Sequence, residues 1–256
     1  MKFTFGICTT PGNEQRVENI LSSIKENNIP PSNCEVVVVG SALLPMFTSF
    51  DVRVIPFDES KKPGWISKKK NIITEKAKFE NIVYMHDYIV LEKDWYKSMC
   101  EYGNKWDLLM TRINNHDGTR YRDWVLCGSW VNNPFVKPNT TRALLPYEEK
   151  RLSRWMYFSG AYWVAKKEFM EKCPLDESLG WGEGEDVEWS LRAKRNTDLF
   201  LNQNSSVRVN KPGKDSWVSL CDQKYLDKIY NLLISDDGQL PVQVGGVKRE
   251  KYFKND

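Results

Sequence analysis

The run Glu35-Val36-Val37-Val38-Val39 decides the fold class. Four consecutive β-branched residues with no polar alternation make a strand without a wet face, the pattern of a strand in a parallel sheet covered on both sides. Upstream, Lys2 to Cys8 reads as another strand. Between the two, Asn13 to Asn27 places Val17, Ile20, Leu21 and Ile24 on one helical stripe, and Asn27-Asn28 with Pro30-Pro31 ends that helix. Downstream, Val52 to Phe57 reads as a third strand. The order β-α-β-β favours an α/β sandwich over an all-α or all-β chain.

The pattern continues outward. Ser67 to Phe79 reads as a helix with Ile72, Ile73 and Ala77 inward, and Asn81 to Met85 as a strand that stops at His86-Asp87-Tyr88. Open α/β sheets put ligands at the carboxyl ends of such strands. Lys93 to Gly103 reads as a helix and Asp107 to Arg112 as a strand. Periodicity is then lost from Asn114 to Arg154, yet this stretch holds Trp124, Trp130, Pro134, Pro138 and Pro146. Aromatics argue against disorder, so a functional loop is expected there. Met156 to Ala165 is strand-like, Lys167 to Lys172 helical, and Asp186 to Arg195 helical after Gly180-Trp181-Gly182-Glu183-Gly184. A polar stretch and a helix around Asp222 to Ser235 close the chain. We expect one α/β domain over 1–210, divided at about residue 112, and a helical extension over 211–256.

Composition narrows the function. The 256 residues carry 37 Lys+Arg against 34 Asp+Glu, a net charge of +3, too small an excess for a nucleic-acid surface. Ten tryptophans exceed what packing usually needs. The six cysteines include no C-x-x-C pair and the chain has two histidines, so a structural zinc site is not expected. The N-terminus does not read as a signal peptide, and no run approaches the ~18 apolar residues of a membrane span. These features favour a reducing, cytoplasmic location, in which the N-x-[ST] triplets at Asn139 and Asn204 are chance.

Three groups could carry chemistry. Asp87, delivered at a strand's carboxyl end, either holds a divalent cation or caps a turn; His86 beside it either ligates or packs. Glu185-Asp186, after three glycines and at the mouth of a helix, offers a general base or an N-cap with a solvated neighbour. Lys68-Lys69-Lys70, with Lys61 and Lys62 before it, is either a solvated face or an anion site, since cations near a helix N-terminus are misplaced without an anion.

In collinear order, Thr9-Thr-Pro-Gly-Asn13, Glu35-Val-Val-Val-Val-Gly-Ser41, Gly64-x-x-Ser67-x-x-x-Asn71, Val83-Tyr-Met-His-Asp-Tyr88 with Trp95, Phe158-Ser-Gly-Ala-Tyr-Trp163 and Gly184-Glu-Asp-Val-Glu-Trp-Ser-Leu-Arg192 resemble the nucleotide-sugar glycosyltransferases of the A fold, closest to family 2. The resemblance implies a Rossmann-like mixed sheet flanked by helices and inverting transfer from a nucleotide-diphosphate sugar, UDP-type favoured, to a glycan or other hydroxyl acceptor, as in polysaccharide biosynthesis. It implies that Thr9, Pro11 and Asn13 line the nucleoside pocket, that Asp58 and Glu59 lie near base or ribose, and that Lys69 and Asn71 sit by the diphosphate. His86-Asp87-Tyr88 takes the place of the family's Asp-x-Asp, with Asp87 on ribose or on a weakly held Mn2+ or Mg2+. Asp186 of the Glu185-Asp186 pair becomes the base. One carboxylate stands where the family has two, Gly40-Ser41 replaces an acidic pair, and either a third ligand comes from Asn210, Lys211 or Asp215 or the site is open. The resemblance also implies that 1–210 is the catalytic domain, with a donor-binding half to about 112 and an acceptor-binding half from 113.

Sugars stack apolar C–H faces on aromatic rings, so Trp124, Trp130, Arg154, Trp155, Tyr157 and Trp181 are candidate acceptor contacts, while Trp163 and Trp189, on regular elements, read as core. Two other readings compete. A sugar-nucleotide nucleotidyltransferase would want a Gly-rich basic loop after the first strand, which Thr9-Thr-Pro-Gly-Asn13 is not. A non-catalytic sugar- or nucleotide-binding module would have no use for a base at Glu185-Asp186.

Overall fold

The computed structural model describes residues 1–40, 50–126, 142–213, 218–221, 226–227 and 230–231. Its main body is an eight-stranded sheet in the order β3-β2-β1-β4-β10-β6-β11-β5. The strands are β1 (Phe3–Cys8), β2 (Cys34–Val39), β3 (Asp51–Ile55), β4 (Asn81–His86), β5 (Ile89–Leu91), β6 (Leu108–Asn114), β10 (Tyr162–Lys166) and β11 (Leu199–Val209). The first four lie parallel, β10 runs antiparallel to both β4 and β6, β6 is parallel to β11, and β5 is antiparallel to β11. A mixed α/β sheet was the expected class, and it is the one observed.

Strand β2 is buried at every position, as a run with no polar alternation requires. Its one charged residue, Glu35, sits at the amino end with its carboxylate accepting from Thr4 Oγ1 at 2.5 Å, Arg53 at 2.8 Å and the Lys78 N–H at 2.5 Å. A buried carboxylate is tolerated when it is satisfied in this way. Helix α1 (Glu14–Glu26) packs toward β5, α2 (Ile66–Lys76) against β1 and β2, and α3 (Trp95–Tyr102) against β11. Close approach of α2 depends on Gly6 of β1, where a Cβ would stand 2.2 Å from Ile73 Cγ2. Helix α4 (Lys167–Lys172) lies beside α2, and α5 (Glu185–Ala193) packs on β9 (Met156–Tyr157).

The structure adds elements that the periodicity did not show. The stretch from Asn114 to Arg154 contains β7 (Val125–Leu126) and β8 (Arg142–Leu144), which form a four-stranded sheet with β9 and β12 (Val218–Leu220). Strands of two or three residues carry no readable period. The expected strand Met156 to Ala165 divides into β9 and β10 around the turn Ser159-Gly160-Ala161. The largest omission is β11. Its centre reads Asn202-Gln203-Asn204-Ser205-Ser206 because the ladder with β6 shifts register between Asn202 and Ser206. Gln203 and Asn204 are exposed, and the three buried polar groups are satisfied inside: Asn202 Nδ2 donates to Ser98 O at 3.1 Å, Ser205 Oγ to Trp95 O at 3.3 Å and Ser206 Oγ to Glu92 Oε2 at 2.6 Å. The main sheet also runs across residue 112, since β10 and β11 return to it from beyond that residue. Most of the 211–256 extension lies outside the described residues. No helix among the described residues is long and apolar enough to cross a membrane.

Candidate active site

In the β1–β4 pair Cys8 is the register partner of His86, so the next residues, Thr9 and Asp87, leave the sheet side by side. Sheet order reverses at β1, which has β2 on one flank and β4 on the other. This is the position where open α/β sheets form a ligand crevice. Thr9 Oγ1 donates to Asp87 Oδ2 at 3.0 Å, and the Asp87 N–H donates to Cys8 O at 3.1 Å. Arg16, from the first turns of α1, approaches Asp87 Oδ1 at 3.5 Å. Burial pushes the Asp87 carboxyl up, and the Thr9 hydroxyl and the Arg16 charge oppose it.

His86 is buried beside it, with Nδ1 3.0 Å from Tyr88 Oη and Nε2 enclosed without a hydrogen-bond partner. Burial, together with the charges of Lys70, Lys211 and Lys69, holds its pKa well below the ordinary range, so the ring is neutral. The Asn210 N–H donates to Tyr88 O at 2.7 Å, and Lys211 Nζ lies 4.1 Å over the Tyr88 ring. Two of the three candidate third ligands therefore reach this corner. The third, Asp215, lies outside the described residues, as does Ser41.

Lys69 donates to Thr9 O at 2.6 Å and forms an ion pair with Glu59, with Nζ 5.1 Å over the Phe57 ring. Thr9 O is approached closely from the other side by Gly40, at φ 144°, where a Cβ would stand 2.4 Å from it. Lys69 and Glu59 thus shape the wall behind Thr9. Asp58 is exposed and turns back on Ser60, accepting from its N–H at 3.1 Å and its hydroxyl at 2.6 Å. Pro11 is exposed, and Asn13 Nδ2 donates to Thr10 Oγ1 at 2.8 Å. Asn71 faces away from this corner: its Nδ2 donates to Leu175 O at 3.0 Å and its Oδ1 accepts from the Leu175 N–H at 3.0 Å. The rest of the basic run is also used on the protein, Lys62 donating to Ser178 O at 2.6 Å and Lys68 to Glu177 Oε1 at 3.0 Å.

The second group forms at the start of α5. Gly184 sits at φ 80°, a left-handed turn that suits glycine, and launches the helix at Glu185. Asp186 Oδ2 accepts from the Gly160 N–H at 2.7 Å, and Oδ1 from the N–H of Val187 at 2.9 Å. Glu185 is buried; burial first and the adjacent Asp186 carboxylate second push it up to about 7, and the Lys70 ammonium opposes both. Lys70, 0% exposed, donates to Gly160 O at 2.8 Å and lies 4.1 Å over the Trp163 ring. Burial lowers its pKa, and Glu185 acts in the opposite sense. A Cβ on Gly160 would stand 3.1 Å from both Asp186 Oδ2 and Glu185 Oε1, so both carboxylates converge on this one glycine.

Lys70, Gly160 and Arg16 were not singled out from the sequence. Lys70 had a signal: Ile66, Lys70 and Ile73 follow helical spacing and share the buried face of α2. Nothing in the sequence alone joined Arg16 to Asp87.

Of the aromatic candidates, Trp181 is 71% exposed, held beside Gly64 by its N–H on Gly64 O at 2.8 Å. Trp124, Trp155 and Tyr157 are buried in the core, with Trp124 Nε1 donating to Glu149 O at 3.0 Å, so none presents a free face here. Trp130 and the side chain of Arg154 lie outside the described residues. Trp163 and Trp189 are fully buried and stacked at 4.9 Å, with Tyr84 stacked on Trp163 at 5.1 Å.

For a divalent cation the described residues offer Asp87 and no group of three or more His, Cys, Asp or Glu. One carboxylate combined with phosphate oxygens and water is a normal way to hold a hard cation, so Asp87 fits as a lone protein ligand, in competition with Arg16.

No protein-family model matches the chain, and no curated protein matches it in sequence. Solved structures do match. TarS 1–349 of S. aureus, in complex with UDP-GlcNAc, is 16% identical with a TM-score of 0.59, over 85% of this chain and 60% of that one. GalNAc-T7, with UDP, GalNAc and Mn2+, is 15% identical with a TM-score of 0.60, over 82% of this chain and 44% of that one. The mannosyltransferase PcManGT of Pyrobaculum calidifontis, with GDP-Man and Mn2+, is 11% identical with a TM-score of 0.54, over 83% of this chain and 58% of that one. This chain thus spans about half to three fifths of these three proteins. At such identities the likeness establishes the fold, which is the glycosyltransferase A fold.

Proposed function

We propose that this chain is a glycosyltransferase that moves a sugar from a nucleotide-diphosphate donor to a hydroxyl acceptor with inversion, Asp186 acting as the general base. The observation that carries the reading is the Asp186 carboxylate, partly exposed and held by the Gly160 N–H at 2.7 Å, in the same fold as proteins solved with nucleotides and nucleotide sugars. A base held by a backbone donor and a helix N-terminus keeps its orientation through a reaction cycle.

In the proposed step the acceptor oxygen attacks the anomeric carbon from the face opposite the diphosphate. The C–O bond to phosphate breaks, the electron pair leaves with the nucleoside diphosphate, and the acceptor proton passes to Asp186. Thr9 and Asp87 form the floor of the donor site, with Pro11 and Asn13 at its rim and Glu59 and Lys69 behind it. A cation on Asp87 would supply charge neutralisation to the departing diphosphate. Arg16 and Lys211, the cations beside Asp87 and Tyr88, bring positive charge to the same corner. Trp181, five residues before Asp186 in the chain, offers an exposed ring on which an acceptor sugar can stack. A uridine nucleotide is favoured because both TarS and GalNAc-T7 were solved with uridine nucleotides.

The test is a thermal-shift screen with UDP, GDP, CDP and dTDP, each with and without Mn2+. A ligand that binds only the native state raises the melting temperature with its concentration, by about 2.7 kcal/mol of apparent stability at a hundredfold excess over Kd. UDP is expected to give the largest shift. No shift with any of the four nucleotides would defeat the proposal.

A further inference from the structure

Lys70 is a fully buried ammonium with no carboxylate among its hydrogen-bond partners. Burying such a charge is costly unless the site uses it. It donates to the carbonyl of Gly160 at 2.8 Å, while the N–H of the same Gly160 donates to Asp186 Oδ2 at 2.7 Å. These two groups flank one Cα, so Lys70 and Asp186 between them restrain both dihedrals of the residue least able to restrain itself. The Trp163 ring, 4.1 Å below the ammonium, fixes the lysine from the other side and is stacked on Trp189 of α5.

We propose that Lys70 is a positioning residue for the Asp186 base, acting through the backbone of Gly160. The proposal rests on the reading of Asp186 as the base. Without Lys70 the Gly160 carbonyl is released and ψ of the glycine is no longer held, so the N–H on the other side of its Cα is aimed at the carboxylate less firmly. Loss of the cation also removes the influence that opposes burial and carboxylate repulsion at Glu185. The charged groups that bear on Glu185 are Lys70 from α2 and Asp186 on its own helix, with the backbone N–H groups of the first turn. Removing the one positive member makes Glu185 hold its proton to higher pH.

The test uses the full chain, with the nucleotide sugar chosen by the nucleotide screen, and compares Lys70→Met, Lys70→Arg, Gly160→Ala and Asp186→Asn. UDP affinity is measured by calorimetry, and kcat, KM and the pH profile by nucleotide release. Lys70→Met is expected to lose about 100-fold in kcat, as displacement of a base by an ångström does. Its UDP Kd should stay within about two-fold, and the acidic limb of kcat/KM should move up by about one pH unit. Lys70→Arg should keep the limb in place. Gly160→Ala retains the cation but crowds both carboxylates, so it should lose kcat without moving the limb.

Wild-type kcat and limb in Lys70→Met would overturn the proposal. So would parallel loss of kcat and UDP binding with an unmoved limb, the result of a merely structural lysine. Should Lys70→Met fail to fold, Gly160→Ala carries the test, and wild-type kcat there overturns it. Full activity in Asp186→Asn would remove the base assignment itself, a result separable from the others.

Discussion

Glu185 and Asp186 are adjacent in sequence and lie in different environments. Glu185 is buried and Asp186 is partly open, with both oxygens on backbone donors. Glu185 is raised to about 7, so the folded state holds a proton that the unfolded chain releases near pH 4.5. A raised group stabilises the fold below its unfolded pKa, and that contribution is lost as pH rises through the folded value. Melting temperatures measured from pH 4 to 8 should therefore show Glu185→Gln gaining relative to wild type as pH increases between about 4.5 and 7. A constant difference across that range would contradict the burial account of this residue. The same scale shows what the sequence could disclose. Glu185-Asp186 and Asp87 were readable as candidates for chemistry, with a helix cap and a turn cap as their alternatives. Lys70 hid inside a basic run in which Lys62 and Lys68 make surface pairs, and only the fold shows that its ammonium is buried.

At the scale of elements, α2 is tied to the segment that precedes α5. Asn71 exchanges two hydrogen bonds with the backbone of Leu175, Lys68 pairs with Glu177, Ser67 Oγ donates to Leu179 O at 2.5 Å, and Trp65 Nε1 to Glu177 O at 2.6 Å. The helix expected to face a diphosphate thus spends this edge on holding the loop that leads to Glu185 and Asp186. Asn71→Ala should lower stability by about 1–3 kcal/mol, because it strands two part-buried backbone groups. In a chain of this size that is a melting-temperature loss of about 2–4 °C per kcal/mol, with UDP affinity little changed. A large loss of UDP affinity with an unchanged melting temperature would return Asn71 to the diphosphate. Elements were legible where period and burial agreed, as in β1, β2, α1 and α4. Strand β11 was not, because its register shift buries a polar centre whose partners lie about a hundred residues away on α3.

At the scale of the whole molecule, two groups far apart in sequence come to the carboxyl-end side of one sheet. Asp87 follows β4, and Asp186 is held by the turn that leads into β10, the antiparallel neighbour of β4. This adjacency follows from insertion of β10 between β4 and β6, a crossover that local patterns do not encode. Among the described tryptophans, Trp95, Trp124, Trp163 and Trp189 build the interior, while Trp181 stands exposed beside Gly64. The central claim is that Asp186 acts in the chemical step and not in donor binding. Its most direct test is Asp186→Asn, assayed for nucleotide release from UDP-GlcNAc, UDP-GalNAc and GDP-mannose and for calorimetric binding of the matching nucleotide diphosphate. Retained binding, within about two-fold, with release reduced at least about 100-fold is the predicted result, the size expected for losing a general base. Wild-type release by Asp186→Asn, or a loss of binding that accounts for the whole loss of release, would contradict it.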